Sequence, residues 1–213
     1  MEEKFFEDLK EKILPYFKED GSHGFDHTQR VYNLSLKISE EEDVDLDVVK
    51  MAALLHDIAR MKEEVSENIC HAEEGAKMAK EILTGLGVAE DKINKVAEAI
   101  EVHRYSKGLK AETKEAEILQ DADRLDALGA ICIARVFGYS GKIGRIFYDS
   151  KLEIEEYTHN HESNSAINHF HEKILKIKPE TFKTKKAKEI AKGRYNFIQE
   201  FLDRFIQEWE GKL

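Results

Sequence analysis

The chain has 213 residues, 41% of them hydrophobic and 36% charged, with a formal net charge of −10. That length supports one large domain or two small ones around a substantial core. The acidity argues against nonspecific binding to nucleic acid or to an anionic membrane surface. Only two prolines and twelve glycines interrupt it, so most of the chain reads as helix. Two cysteines, Cys70 and Cys132, are too few for a disulfide framework or a zinc knuckle. No segment approaches 18 apolar residues, and "MEEKFFEDLKEK" lacks the basic start and apolar core of a signal peptide. The expectation is a cytoplasmic protein.

In chain order, the periodicity predicts helices over 2–18, ended near Pro15, and over 25–40, with Val31, Leu34 and Ile38 on one stripe. A third covers 45–59, where Val48, Ala52, Leu55 and Ala59 recur at helical spacing. A fourth covers 70–85 and is closed by Gly85 and Gly87. A fifth covers 90–104, and a long sixth 113–137, with a break expected at Gly129. "GYSGKIGR" (138–145) reads as a loop, 146–162 as polar and irregular, and 165–177 as another helix. The last helix spans about 181–211 and carries Phe197, Phe201, Phe205 and Trp209 four apart, a stripe expected to pack in the core. The fold class is all-α, a single domain over 1–213, with 138–162 as a lid or insertion.

Within this frame "LLHDIAR" (54–60) places His56 and Asp57 at the end of an apolar run. Adjacent on a helix, their side chains point about 100° apart, so both can reach one ion at the helix shoulder. Imidazole and carboxylate suit Mn, Fe, Zn or Ni. Alone, the dipeptide is weak evidence, more often a buried histidine satisfied by a local hydrogen bond. The neighbours change its weight. "SHGFDHTQRV" (22–31) puts His27 in the first turn of the preceding helix, and "ILQDADRLDALGA" (118–130) puts three acids on a later one. The order is His, His-Asp, Asp, each on a separate helix.

This set resembles the HD superfamily of metal-dependent phosphohydrolases, and "QDADRLDALGA" is similar to its small bacterial and archaeal branch. The resemblance runs from His23 to about residue 210 and implies a helical bundle holding a divalent metal through His27, His56, Asp57 and an acid of the later helix. Asp121 and Asp123 lie two apart and both flank the apolar face, so periodicity leaves the choice open. The family pattern places the ligand at Asp123. Asp126, one turn on, is expected to orient a ligand or a water. His71 in "HAEEGAKMA" and His103 in "IEVHRYS" match stations that hold a second ion in two-metal relatives. One ion is the firm expectation; around it these two would contact substrate phosphate or water.

Arg60, three residues past Asp57, would emerge near the same face and grip phosphate. Arg30, Arg104, Arg124, Arg145 and Lys142 are further candidates, each equally a solvated surface charge. His23 could donate a proton to a leaving group or cap the helix. His159 and His161 read as loop rather than a separate site, and His169 could border the active-site mouth. The resemblance implies hydrolysis of a small phosphorylated substrate, a nucleotide by preference, such as pyrophosphohydrolysis of a (deoxy)nucleoside triphosphate. Alternatives are an HD-type di-iron oxygenase using His71 and His103, and a non-catalytic nucleotide or metal sensor. Long nucleic acid is not expected as a partner; helical faces of this size often pair, which leaves a homodimer open.

Overall fold

The computed structural model describes residues 1–18, 24–66, 68–104, 107–156 and 162–213. Every regular element among them is a helix. Contacts divide the chain into two compact units, Met1–Arg124 and Leu125–Leu213, each described by itself. No described helix is long and apolar enough to cross a membrane. His23, His159 and His161 lie outside the described residues.

The first unit contains α1 (Glu3–Ile13), α2 (Phe25–Ser39), α3 (Leu46–Leu55), α4 (Arg60–Val65), α5 (His71–Gly85), α6 (Glu90–Val102) and most of α7 (Lys114–Asp126). Helix α3 is its centre because it is apolar nearly all round: Val48, Val49 and Met51 through Leu55 are all buried. Asp45 caps it, its carboxylate accepting from the backbone N–H of Asp47 at 3.0 Å. Helix α2 packs on one side of α3 and α6 on another, with α5 laid on α6. Glu115 of α7 accepts from the Asp45 backbone N–H at 2.9 Å. Gln120 donates to the carbonyls of Val102 and Leu109 and so pins the end of α6.

The predicted helix over 45–59 stops earlier than expected. The chain leaves α3 after Leu55, turns through residues 56–59 and re-enters helix at Arg60, giving α4, which the periodicity did not separate. His56 and Asp57 therefore sit on a turn rather than within a helix.

The second unit, which begins at Leu125, contains the expected break. Gly129 has φ +82° and ψ −158°, a region essentially closed to side-chain-bearing residues, and α8 (Ala130–Lys142) starts immediately after it. Helix α8 continues through Gly138 and Gly141, so "GYSGK" is helical rather than loop. The two glycines each weaken a helix by up to about 1 kcal/mol, but burial of Val136 and Ser140 on its inner face holds it. Residues 143–156 carry no regular element; the backbone N–H groups of Ala166 and Ile167 donate to the carbonyls of Ile146 and Phe147 at 3.0 Å. Then come α9 (Ala166–Glu172), capped by Ser165, and α10 (Lys185–Trp209), capped by Thr184.

The aromatic stripe of α10 departs from expectation. The face it buries holds Ala187, Ala191, Tyr195, Ile198 and Leu202. Phe197 and Trp209 are 47% and 54% exposed. Phe201 and Phe205 are half-buried, edge-on or tilted against Phe137 at 5.8 Å. A four-residue repeat drifts around the helix by about 40° per step, so a stripe at that spacing walks off the core face.

Candidate metal centre

Four helix ends of the first unit deliver four imidazoles. His27 is the third residue of α2, and His71 the first of α5; His56 follows the last residue of α3, and His103 follows that of α6. Because α2 pairs with α3 and α5 with α6, each pair sets the start of one helix beside the end of the next. His27, His56, His71 and His103 are all at most 4% exposed, and Asp57 is 5% exposed.

Asp57 stands between two clusters. Its Oδ2 is 3.7 Å from His27 Nε2 and 3.8 Å from His56 Nε2. Its Oδ1 is 3.5 Å from His71 Nε2 and 3.9 Å from His103 Nε2. Within the first cluster the two Nε2 atoms are 3.4 Å apart, and within the second 3.3 Å. Asp123 joins the first, its Oδ1 3.3 Å from His27 Nε2. Asp121, two residues earlier and so on roughly the opposite side of α7, is fully buried.

The hydrogen bonds on the other ring nitrogens fix the tautomers. His56 Nδ1 lies 2.8 Å from the Ala53 carbonyl and His103 Nδ1 2.6 Å from that of Ile100. A carbonyl only accepts, so both Nδ1 atoms carry the proton and both Nε2 atoms present lone pairs. His71 Nδ1 lies 2.7 Å from Glu63 Oε2, with the same consequence. The second cluster therefore sets two lone pairs facing each other at 3.3 Å beside an ionised carboxylate. That arrangement is repulsive unless a cation lies between.

The spacing fits one. Two donors each about 2.1 Å from an ion are about 3.0 Å apart at a right angle and about 3.4 Å at the tetrahedral angle. The donor set, neutral imidazole plus carboxylate, suits Mn, Fe, Ni or Zn. His27, His56 and Asp57 form one group able to hold a metal ion, and Asp57, His71 and His103 a second.

The electrostatics agree. Burial alone would raise the Asp57 carboxyl, but the imidazoles of His56, His27, His103 and His71 more than reverse this and keep it well below the usual carboxylate range. Burial opposes ionisation of Asp123 too; the His27 hydrogen bond leads the opposing effects and brings it to about 2. His71 and His103 are pushed down chiefly by burial, which favours the neutral ring a metal needs.

Glu63, on α4, was not singled out from the sequence. Its carboxylate accepts from His71, from Arg60 at 3.1 Å and from Arg104 at 2.7 Å. Arg60 and Arg104 are thus brought to one anion beside the second cluster. The only hint in "HDIARMKEEV" is that Glu63 lies one helical turn past Arg60.

Other expected residues stand elsewhere. Asp126 lies in the second unit, where it is buried and accepts from Arg135 at 3.1 Å. Arg30 pairs with Asp26 along α2, and Arg124 is buried. Lys142, Arg145 and His169 belong to the second unit. There Arg145 lies over Tyr139, and His169 Nδ1 is 3.1 Å from Ser163 Oγ.

Comparison with known proteins places this geometry in context. A family model described as HD domain matches residues 24–128. The YpgQ protein of Bacillus subtilis is 30% identical over 197 residues, covering 91% of this chain and 87% of its own. An HD-superfamily hydrolase from Bacillus thuringiensis superposes with a TM-score of 0.78 at 31% identity over 98% of both chains. A predicted HD-superfamily hydrolase from an uncultured Thermotogales bacterium gives 0.70 at 33% identity, over 95% of this chain and 92% of its own. The structure of B. subtilis YpgQ in complex with ADP gives 0.71 at 25% identity, over 95% and 96%.

Proposed function

We propose, because the chain belongs to the HD domain family, that it is a metal-dependent phosphohydrolase acting on a nucleotide. The observation that carries the reading is the pair of imidazole clusters sharing Asp57, with Arg60 and Arg104 gathered beside them. His27, His56, Asp57 and Asp123 would hold one divalent ion, and Asp57, His71 and His103 a second. Bound there, the metal supplies Lewis acidity toward a phosphoryl oxygen and lowers the pKa of its water toward neutrality.

The chain's own groups do the rest. Hydrogen bonds from Nδ1–H keep His56, His71 and His103 in the tautomer whose Nε2 lone pair faces the ion site before substrate arrives, so no reorganisation is needed at the moment of reaction. Asp123, its side chain 27% exposed, is open enough to accept a hydrogen bond from the attacking water. Arg60 and Arg104, 27% and 32% exposed, can turn toward phosphate oxygens and offset the charge that builds there. With a nucleoside triphosphate, water adds to the α-phosphorus, the α–β bridging bond breaks, and pyrophosphate leaves beside a nucleoside monophosphate. The ADP complex of YpgQ supports a nucleotide as the substrate class.

The test is metal analysis of the purified protein and a nucleotide screen with Mn2+ added, separating phosphate from pyrophosphate. Bound transition metal with release of either product is the expected result. Bound metal with no turnover of any nucleotide would overturn it. The second cluster also suits an HD-type di-iron oxygenase. Two irons per chain with oxygen-dependent turnover and no phosphate release would favour that reading.

A further inference from the structure

We propose that Glu63 is the positioning residue of the second cluster: it fixes His71 in the tautomer that presents Nε2 to a second ion, and it holds Arg60 and Arg104 at that ion's edge. The inference rests on the two-ion reading above and adds the residue that makes the second position usable.

The reason lies in where each histidine sits. His56 and His103 close the ends of α3 and α6, and each donates from Nδ1 to a carbonyl three residues back, Ala53 or Ile100. Helix C-termini have carbonyls to spare, so these rings are oriented by their own helices. His71 is the first residue of α5. A helix start offers N–H groups and no spare acceptors, so its ring needs an acceptor from another element. Glu63 supplies it, Oε2 standing 2.7 Å from His71 Nδ1. A carboxylate can only accept, which leaves the lone pair on Nε2, 3.5 Å from Asp57 Oδ1 and 3.3 Å from His103 Nε2.

The same carboxylate is anchored by two guanidinium groups. Oε1 accepts from Arg104 at 2.7 Å, and Oε2 from Arg60 at 3.1 Å. Arg60 Nη1 also lies 3.1 Å from His71 Nδ1; both are donors there, so Glu63 is the acceptor they share. Two guanidinium groups against one carboxylate leave the edge net positive, which suits a phosphate. Glu63 stands on α4, which begins directly after the 56–59 turn, so the segment that carries Asp57 also carries the group that sets His71.

The experiment is a Mn2+ titration followed by electron paramagnetic resonance, in which a lone ion and a spin-coupled pair have different spectra. Wild type should take two ions. Glu63→Ala should weaken the second by about 10- to 100-fold and leave the first within about threefold. Were Glu63→Ala to fail to fold, Glu63→Gln, of equal size, is read the same way, with an expected loss of about 3- to 10-fold at the second ion alone. Unchanged affinity for both ions would overturn the proposal while sparing the two-ion reading. An equal loss at both would reduce Glu63 to a structural part and also overturn it. A wild-type protein that takes one ion would overturn both.

Discussion

Asp57 is the residue on which the two clusters converge, and its removal should be felt by both. Its Oδ2 faces His27 and His56, and its Oδ1 faces His71 and His103, at 3.5 to 3.9 Å. Metal that binds only the folded protein stabilises it by RT ln(1 + [L]/Kd), about 2.7 kcal/mol per ion at a hundredfold excess over Kd. For a chain of this length each kcal/mol is worth roughly 2–4 °C in Tm. Two ions at that excess should therefore raise Tm by roughly 11–22 °C, and one ion by about half of that. His103→Ala strips a ligand from the second cluster alone and should keep about half the shift. Asp57→Ala takes the carboxylate from both and should abolish it, leaving Tm the same with and without Mn2+. Thermal melts across a Mn2+ titration, with elemental analysis of the same samples, measure this. An Asp57→Ala protein that keeps a shift as large as that of His103→Ala would show that the carboxylate does not serve both clusters, and the shared-ligand argument would fail.

Asp123→Asn should weaken the first ion and slow turnover more than Asp121→Asn, because Asp123 faces His27 at 3.3 Å; the reverse order of metal affinities would move the ligand to Asp121. Gly129→Ala should cost about 2–4 kcal/mol, of which about 1–3 comes from φ +82°. The remainder comes from a methyl placed 3.0 Å from Arg194 Cγ, a side chain tethered through its hydrogen bond to the Leu125 carbonyl. Urea melts decide it, and a cost below about 0.5 kcal/mol would refute the strain argument. His169 should make the protein acid-sensitive. Burial leads the effects, with Lys173 and Arg145 adding, that push its pKa down from 6.5 to about 4. The folded ring therefore resists the proton that the unfolded chain accepts. The stability it protects is complete above about pH 6.5 and drains as pH falls toward 4, by about 2–3 kcal/mol at pH 4.5. His169→Gln should lose less stability between pH 7 and 4.5 than wild type does in urea melts; equal losses would refute it.

How much of the centre was legible depends on which physics wrote it. Apart from α4, the helices of the first unit were readable because each buries a stripe whose period survives in the sequence, and α3 announced itself by being apolar nearly all round. His27 and the His-Asp pair were readable as a family motif, and the break at Gly129 as a glycine between two periodic runs. The turn at 56–59 was not, because Ile58 and Ala59 continue the apolar run while the backbone leaves the helix. Glu63 was illegible for a different reason. Its partners are 8 residues away in one case and 41 in another, and "KEE" reads as a solvated surface run until α4 folds back on α5.

The exposed aromatics of α10 make the same point from the other side: a repeat of four is close enough to helical to look like a core face, yet its drift carries Phe197 and Trp209 to the surface. Sequence periodicity reports what one helix buries. The candidate metal centre is built where helix ends meet, and there the decisive information is which terminus offers donors and which acceptors. On that basis His56 and His103 could orient themselves, and His71 could not. The residue that orients it had to come from elsewhere in the fold.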